Sequence, residues 1–238
     1  MKIEIHKSEE RGSSRLDWLD SKHSFSFADY HDHHRMGFGA LRVLNEDFIE
    51  PGQGFGFHHH DNMEIVTIVL KGSLEHKDSL GNHGVINMGD VQRMSAGSGI
   101  MHSEFNHSKN EQVHLLQIWV QTKEKNIKPS YEQKNFSTDL IQNKNKLTTV
   151  VSGDSASGAL TIHQDCKFLL GNLDQNHSLS YRIQDKTHGV YLFLIDGELM
   201  INEKKVQKGD AAALSHCDQV QVNSTKNSQF LLMDVPQY

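Results

Sequence analysis

The sequence predicts an all-β protein made of two small antiparallel barrels. Segments with strand character recur roughly every eight to twelve residues, and little of the 238-residue chain has helical periodicity. The second half also repeats the first in weakened form: the apolar run 190–197 parallels residues 65–72, and Gly209-Asp210 parallels Gly89-Asp90. An internal repeat of this kind indicates two copies of one structural unit.

The segment between the two predicted barrels is polar. Residues 123–129 are charged and end in proline, which is typical of a linker. A polar passage over residues 131–146 follows, and residues 147–152 begin a new set of strands. We therefore place the boundary near residue 136, which gives an N-terminal domain of residues 1–136 and a C-terminal domain of residues 137–238. The chain is long enough for each domain to bury a core.

The composition excludes several classes of partner. The net charge is −6 and basic residues form no block, so we expect no binding to nucleic acid or to an anionic membrane. The first residues lack the apolar core of a signal peptide, and the apolar run 65–70 is too short to cross a bilayer. The cysteines Cys166 and Cys217 make no disulfide framework; one bridge is possible, but a reduced pair is the better expectation. We expect a monomeric cytoplasmic protein.

Two pairs of possible metal ligands lie in the N-terminal half. If the segment before residue 61 is a strand, His58 and His60 share one face and His59 points the other way. His102 and Glu104 stand in the same i, i+2 relation further along the chain. Two such strands could together form a site of three imidazoles and one carboxylate. This set suits a borderline divalent metal better than Ca²⁺ or Mg²⁺, which prefer oxygen ligands.

The high histidine content offers an alternative explanation for these pairs. The chain contains 17 histidines, so some His-x-His pairs arise by chance, and the second i, i+2 pair is what favours a metal site. The histidine-rich segment 29–35 is predicted to be an exposed loop. His76 and Asp78 are expected to make hydrogen bonds in a hairpin rather than to bind metal.

The C-terminal barrel is predicted to have kept the scaffold and lost the metal. Alignment on the two shared anchors, Gly197 and Asp210, gives the positions that correspond to the four candidate ligands. These positions hold Ile183, Asp185, Val222 and Ser224, and His188 stands alone nearby. We therefore expect one metal per chain, in the N-terminal barrel.

The residues around the candidate site also carry a family resemblance. The order Gly52-x5-His58-x-His60-x3-Glu64, then Gly89-Asp90, then His102-x3-Asn106 resembles the paired motifs of the cupin superfamily. The run Met-Ser-Ala-Gly-Ser-Gly-Ile-Met-His-Ser-Glu at 94–104 has Ser95 where a cupin usually has proline. It is similar to the pirin family, and most of all to bacterial pirin-like proteins described as quercetin 2,3-dioxygenases. The resemblance spans the whole chain and includes Trp-Leu-Asp-Ser at 18–21 and Met-Gly-Phe at 36–38.

The resemblance implies a bicupin, in which two jelly-roll barrels pack face to face. It implies a metal held by His58, His60, His102 and Glu104, with two positions of a six-coordinate ion left open. Fe(II) is favoured, and Mn, Co, Ni, Cu or Zn is possible because these sites bind several divalent ions. Glu64 is the usual cupin ligand; here it is expected to orient a histidine instead, since Glu104 takes its place.

The activity implied by the resemblance is dioxygenation of flavonols such as quercetin. The 3-hydroxyl would lose its proton and bind the metal, O₂ would add to the enolate carbon, and the central ring would open with loss of carbon monoxide. Such a reaction needs a base near the metal. Glu104 is the first candidate, and Glu64, four residues beyond His60 and expected on the same strand face, is the second. Phe55, Phe57 and Met101 could line an aromatic pocket or simply pack in the core.

Two alternative functions remain at this point. Animal pirins are associated with transcriptional regulation, so the chain could be a metal-containing, redox-responsive regulatory protein without turnover. It could also catalyse another cupin reaction on a small enolisable substrate. An enzyme needs an open metal face and a cleft of aromatic size, whereas a binding module would present a large exposed patch away from the metal.

Overall fold

The computed structural model describes residues 1–183 and 185–238, and nearly all of their regular structure is β. This confirms the predicted all-β class. The helical elements are a short α-helix, α1 (Ser137–Gln142), and 3-10 turns at Ser8–Glu10 and Ser155–Ser157. In the described part of the chain, no helix is long and apolar enough to cross a membrane.

The strands fall into two successive sets. The first set is β1 (Lys2–His6), β2 (Gly12–Leu16), β3 (Leu19–His23), β4 (Leu41–Ile49), β5 (Gly54–His60), β6 (Met63–Lys71), β7 (Ser73–Asp78), β8 (His83–Asn87), β9 (Asp90–Ser95), β10 (Ile100–Asn106), β11 (Val113–Gln121) and β12 (Ser130–Asn135). The second set is β13 (Leu147–Ser152), β14 (Leu160–Thr161), β15 (Lys167–Leu173), β16 (Ser178–Arg182), β17 (His188–Asp196), β18 (Glu198–Ile201), β19 (Lys204–Gln207), β20 (Ala211–Ser215), β21 (Gln219–Ser224) and β22 (Ser228–Pro236).

Each half of the molecule is a sandwich of a seven-stranded and a four-stranded sheet. In the N-terminal half the larger sheet runs β12-β9-β6-β11-β4-β3-β2 and the smaller one β5-β10-β7-β8. In the C-terminal half the orders are β1-β20-β17-β22-β15-β13-β14 and β16-β21-β18-β19. Neighbouring strands are antiparallel except for the short parallel pair β13–β14. This arrangement is the jelly-roll type that was predicted.

The two halves pack against each other through their seven-stranded sheets. The packing of strand β6 explains why the sequence at residues 65–70 is a continuous apolar run. Its side chains Val66 and Ile68 belong to a core shared with C-terminal residues such as Phe193 and Leu231. Ile65 and Val69, on the other face, pack inside the N-terminal barrel. Both faces of the strand are therefore buried.

The interior of the C-terminal barrel is an apolar core. Ile183 and Val222, which match two of the ligand positions of the first barrel, are buried there among leucine, isoleucine and valine side chains. Apolar packing thus occupies the space in which the first barrel places imidazoles.

The domain boundary at residue 136 stays a prediction, but the assignment of β1 to the N-terminal domain needs correction. The predicted N-terminal domain includes β1, whereas β1 pairs with β20 as the edge strand of the C-terminal sheet. Ile3 and Ile5 pack against the C-terminal core. The alternating pattern of residues 2–6 predicts a strand correctly, but it carries no information about which distant strand is the partner.

Candidate metal centre

The inner face of the small N-terminal sheet carries a compact array of polar side chains. Strand β10 lies between β5 and β7, so His102 has His58 opposite it on one side and Asp78 on the other. Glu104 lies opposite His76 on β7. His102, Glu104, His76 and Asp78 are all buried, because this face is covered by the larger sheet.

The three predicted imidazole ligands come together. The ring centroids lie 4.4 Å apart for His58 and His102, 4.8 Å for His58 and His60, and 4.9 Å for His60 and His102. One ring nitrogen from each lies within 4.8 Å of the other two. His59 is exposed and lies opposite Met101, outside this cluster.

Glu104 joins the cluster through His102. One of its carboxylate oxygens, one nitrogen of His102 and one nitrogen of His76 lie within 4.8 Å of one another. Its Oε2 accepts a hydrogen bond of 2.7 Å from Gln117, and the Thr67 hydroxyl lies 3.4 Å from its Oε1. The structure therefore brings the four predicted ligands to one inner surface and adds His76, which we expected to be a hairpin residue.

The donor atoms fit a divalent transition metal. Both ring nitrogens of His102 are buried without a hydrogen-bond partner in the described part of the chain, so they are available for other interactions. Burial lowers the pKa of His60 to about 4 and that of His102 to about 3, with the neighbouring histidines adding to the effect. Both imidazoles are therefore neutral near pH 7, as metal binding requires. Nitrogen and oxygen donors without a thiolate suit Fe, Mn, Co, Ni or Cu.

A cleft of about 590 Å³ opens beside the cluster. This volume lies within the range of small-molecule sites. Its lining includes His58, His60 and Glu104, together with four aromatic side chains: Trp18, Phe27, Phe55 and Trp119. The ring of Trp119 meets His60 edge-on at 4.8 Å, and those of Trp18 and Phe55 meet at 5.2 Å.

The aromatic walls were predicted only in part. Phe55 lines the cleft, but Phe57 and Met101 have exposed fractions of 59% and 38% and lie on the outer face of the sheet. Their assignment to a pocket or to the core is therefore wrong. The missed residues are Trp18 and Phe27, near the start of the chain, and Trp119, about ninety residues further on. Only the fold brings them to one site.

A polar corner of the same cleft was also missed. Ser14 and Asn45 hydrogen-bond to opposite ring nitrogens of His23, at 2.8 and 2.9 Å, and Ser21 donates to Asp47. Burial, reinforced by the charge of Glu104, raises the pKa of Asp47 to about 7. The available signal was the i, i+2 pair of polar residues at 45 and 47 in strand β4.

Glu64 lies elsewhere, and its predicted role is wrong. The chain turns at residues 61 and 62, where Asn62 has a φ of 47°, so the strand face is reset between His60 and Glu64. The Glu64 carboxylate accepts hydrogen bonds from the Ser95 hydroxyl at 2.8 Å and from the backbone N–H of His163 at 3.2 Å. It therefore belongs to the interface between the two halves and orients no histidine of the cluster.

Two jelly-roll barrels joined through their larger sheets, with a histidine and carboxylate cluster in the first, define a bicupin with a metal centre. The family model described as Pirin matches residues 4–120, and the one described as Quercetinase C-terminal cupin domain matches residues 149–235. The chain belongs to the pirin family.

Similar proteins bear on both the fold and the metal. A protein of Escherichia coli K12 named quercetin 2,3-dioxygenase is 42% identical, over 98% of this chain and 99% of its own length. The crystal structure of the bacterial pirin YhhW from Escherichia coli in complex with nickel(II) matches all of both chains, with a TM-score of 0.94 and 40% identity. A quercetin 2,3-dioxygenase structure from Acinetobacter baumannii shares the fold at a TM-score of 0.77 and 20% identity, covering 100% of this chain and 86% of that one. The nickel complex and the cluster found here indicate a divalent metal site.

Proposed function

We propose that the protein is a metal-dependent dioxygenase that opens the central ring of flavonols such as quercetin with O₂ and releases carbon monoxide. The observation that carries this proposal is the cleft of about 590 Å³, whose walls are aromatic and whose lining contains His58, His60 and Glu104. A flat polyphenol matches such walls in shape and polarity. The name of the Escherichia coli relative supports the same substrate class.

The proposed ligands are His58, His60, His102 and Glu104, which would hold one metal per chain, with Fe(II) favoured. When bound, the metal supplies Lewis acidity towards the flavonol 3-hydroxyl and a centre for oxygen chemistry. The shape of the site agrees with this role: His102 and Glu104 are buried, whereas His58 is partly exposed on the side of the cleft.

The protein's own side chains would bind the flavonol and move its proton. Trp119, Phe27 and Phe55 would pack against the rings and exclude water from the reacting face. The Glu104 carboxylate would take the proton of the 3-hydroxyl, leaving the enolate that reacts with O₂. Glu104 keeps a fixed orientation for this step because Gln117 donates a hydrogen bond of 2.7 Å to it.

The polar corner would set the orientation of the substrate. Asn45 and Asp47 lie on the same cleft as the aromatic walls, and their side chains can form hydrogen bonds with the hydroxyls of a polyphenol. A ligand of this kind therefore has an apolar surface for stacking and a polar group for its edge. This combination is typical of sites that bind one class of small molecule.

A substrate comparison tests the proposal. Protein loaded separately with Fe, Mn, Co, Ni or Cu is mixed with quercetin, with and without O₂, and the loss of flavonol absorbance is followed. At least one form should consume quercetin only when O₂ is present and should ignore a flavone that lacks the 3-hydroxyl, because that flavone cannot form the enolate. Failure of every form would contradict the proposal and would favour the metal-containing regulatory protein.

A further inference from the structure

His102 leaves one polar atom unexplained even if it binds a metal. Its side chain is buried, with 1% of its surface exposed, and neither ring nitrogen has a hydrogen-bond partner among the described residues. A neutral imidazole that binds a metal through one nitrogen carries a proton on the other. That N–H group needs an acceptor, because an unpaired donor in a dry interior costs free energy.

His76 supplies an atom of the complementary kind. Its side chain is fully buried, and its Nε2 lies 3.3 Å from Oδ2 of Asp78. Because a carboxylate only accepts hydrogen bonds, Nε2 carries the proton and Nδ1 presents a lone pair. This Nδ1 is also buried without a partner in the described chain.

The carboxylate that fixes His76 is itself held rigidly. Oδ1 of Asp78 accepts from the backbone N–H groups of Leu80 and Asn82, at 2.9 and 3.0 Å, and Oδ2 accepts from the Asn82 side chain at 2.8 Å. The β7–β8 turn therefore fixes the carboxylate, and the carboxylate fixes the tautomer of His76 that has its lone pair on Nδ1.

The two rings that carry these unpaired atoms lie close together. The ring centroids of His76 and His102 are 5.3 Å apart, and one nitrogen of each ring lies within 4.8 Å of the other. Because neither atom has a hydrogen-bond partner among the described residues, contact between them requires one of the two rings to rotate. We infer that Asp78 and His76 form a relay that accepts the second ring N–H of His102 and fixes that ring for metal binding. The inference rests on the proposed role of His102 as a ligand.

Packing alone does not account for this arrangement. His76 packs against Tyr131 with a centroid distance of 4.7 Å and the ring planes tilted by 30°, and Asp78 organises the turn, so both residues have a structural role. A phenylalanine would serve this packing contact equally well, but it offers no lone pair. If His76 acts through its lone pair, replacing the imidazole with a phenyl ring should weaken metal binding. If His76 acts only by packing, the same replacement should leave metal binding unchanged.

The test uses three variants and two metals as probes. His76→Phe keeps a flat ring against Tyr131, His76→Gln restores an acceptor oxygen, and His83→Phe is the control, since His83 is an exposed histidine on the neighbouring strand β8. Ni(II) affinity is measured by competition with a chromophoric chelator. The Cu(II) form is examined by electron paramagnetic resonance, with pulsed methods to count the coordinated imidazoles.

The relay predicts a loss of affinity without a loss of ligands. His76→Phe should weaken Ni(II) binding about 10- to 100-fold, the range for partners that orient metal ligands, and should shift the Cu(II) spectrum. His76→Gln should recover most of the affinity, His83→Phe should match the wild type, and the count of imidazoles should stay the same in all forms. Since no step of this test measures turnover, its outcome is independent of the flavonol assay.

Two results would overturn the relay. Unchanged Ni(II) affinity and an unchanged Cu(II) spectrum in folded His76→Phe would reduce His76 to a packing residue. Loss of one coordinated imidazole would make His76 a ligand itself. If His76→Phe does not fold, Asp78→Asn carries the same test, because it keeps a carbonyl oxygen for the turn and weakens the hold on His76. The Ni(II) affinity of Asp78→Asn should also fall, and an unchanged affinity would contradict the relay.

Discussion

Gln117 donates a hydrogen bond of 2.7 Å to Oε2 of Glu104 and thereby joins the two sheets of the N-terminal barrel at the histidine cluster. The orientation of the Gln117 amide is itself fixed, because its Oε1 accepts a hydrogen bond of 3.0 Å from Thr67. Gln117 lies on β11 and Thr67 on β6, the central strands of the larger sheet. The larger sheet therefore orients a carboxylate that the smaller sheet supplies.

Replacement of Gln117 should weaken metal binding without removing a ligand. Gln117→Leu keeps a side chain of similar size but leaves Glu104 without its shortest hydrogen bond, so Ni(II) affinity should fall about tenfold. Chelator competition measures this. Gln112→Leu is the control, since Gln112 is exposed just before the same strand and its side chain donates a hydrogen bond of 2.8 Å to the surface residue Glu50. Equal affinity in both variants would contradict the orienting role of Gln117.

The four proposed ligands should each be needed for metal occupancy. His58→Ala, His60→Ala, His102→Ala and Glu104→Ala should each lower the metal content of purified protein at least about tenfold, because each removes a donor from the cluster. Elemental analysis of the variants measures the effect. His59→Ala should retain the wild-type content, since His59 is exposed outside the cluster. Unchanged metal content in all four ligand variants would remove this site from consideration.

Glu64 should matter for stability rather than for metal. Glu64→Ala leaves the Ser95 hydroxyl and the His163 N–H without their buried acceptor, so the free energy of unfolding should fall by about 1–3 kcal/mol. Ni(II) affinity should not change. Denaturant unfolding and chelator competition measure the two quantities. Glu124→Ala, at an exposed carboxylate in the segment 123–129, should cost less than about 1 kcal/mol. A large loss of affinity in Glu64→Ala would return Glu64 to the metal centre.

The stability of the protein should depend on pH through His6, which lies on β1 beside Tyr191. Burial, reinforced by the charge of Arg35, lowers the pKa of His6 to about 4 from an ordinary value of 6.5. Between these two values the unfolded chain binds more protons than the folded one, so stability contributed by His6 is complete above pH 6.5 and is lost as the pH falls towards 4.

His6→Gln should remove this part of the pH dependence, which amounts to no more than about 3 kcal/mol. Denaturant unfolding at several pH values gives the free energy of unfolding of wild type and variant. The value for wild type relative to that for His6→Gln should fall as the pH falls from 6.5 towards 4. His33→Gln, at an exposed histidine, should follow the wild-type curve. Parallel curves for wild type and His6→Gln would contradict the assignment.

Local patterns in the sequence were enough to predict the cluster. In a strand the side chains alternate, so the spacing of His58 and His60, and that of His102 and Glu104, already defines which side chains share a face. The same rule failed for Glu64, because a turn at residues 61 and 62 separates it from His60 and resets the alternation. The alternation of side chains predicts which residues share a face only within one unbroken strand.

Features that depend on distant partners could not be predicted in this way. The pattern of β1 predicts a strand, but its pairing with β20 is decided by the packing of the whole molecule. The walls of the cleft come from Trp18, Phe27 and Trp119, whose positions converge only after the sheets have formed. The local pattern around His76 predicts a hairpin residue. Its contact with His102 joins two strands, so it cannot be seen from the spacing of residues within one strand.

The central claim is that the metal centre opens the flavonol ring, and the release of carbon monoxide tests it most directly. Metal-loaded protein is sealed with quercetin and O₂, and the carbon monoxide in the gas phase is compared with the quercetin consumed. We predict equimolar release by wild type and by His59→Ala, and little release by Glu104→Ala. Consumption of quercetin without carbon monoxide, or no consumption by any metal-loaded form, would contradict the claim.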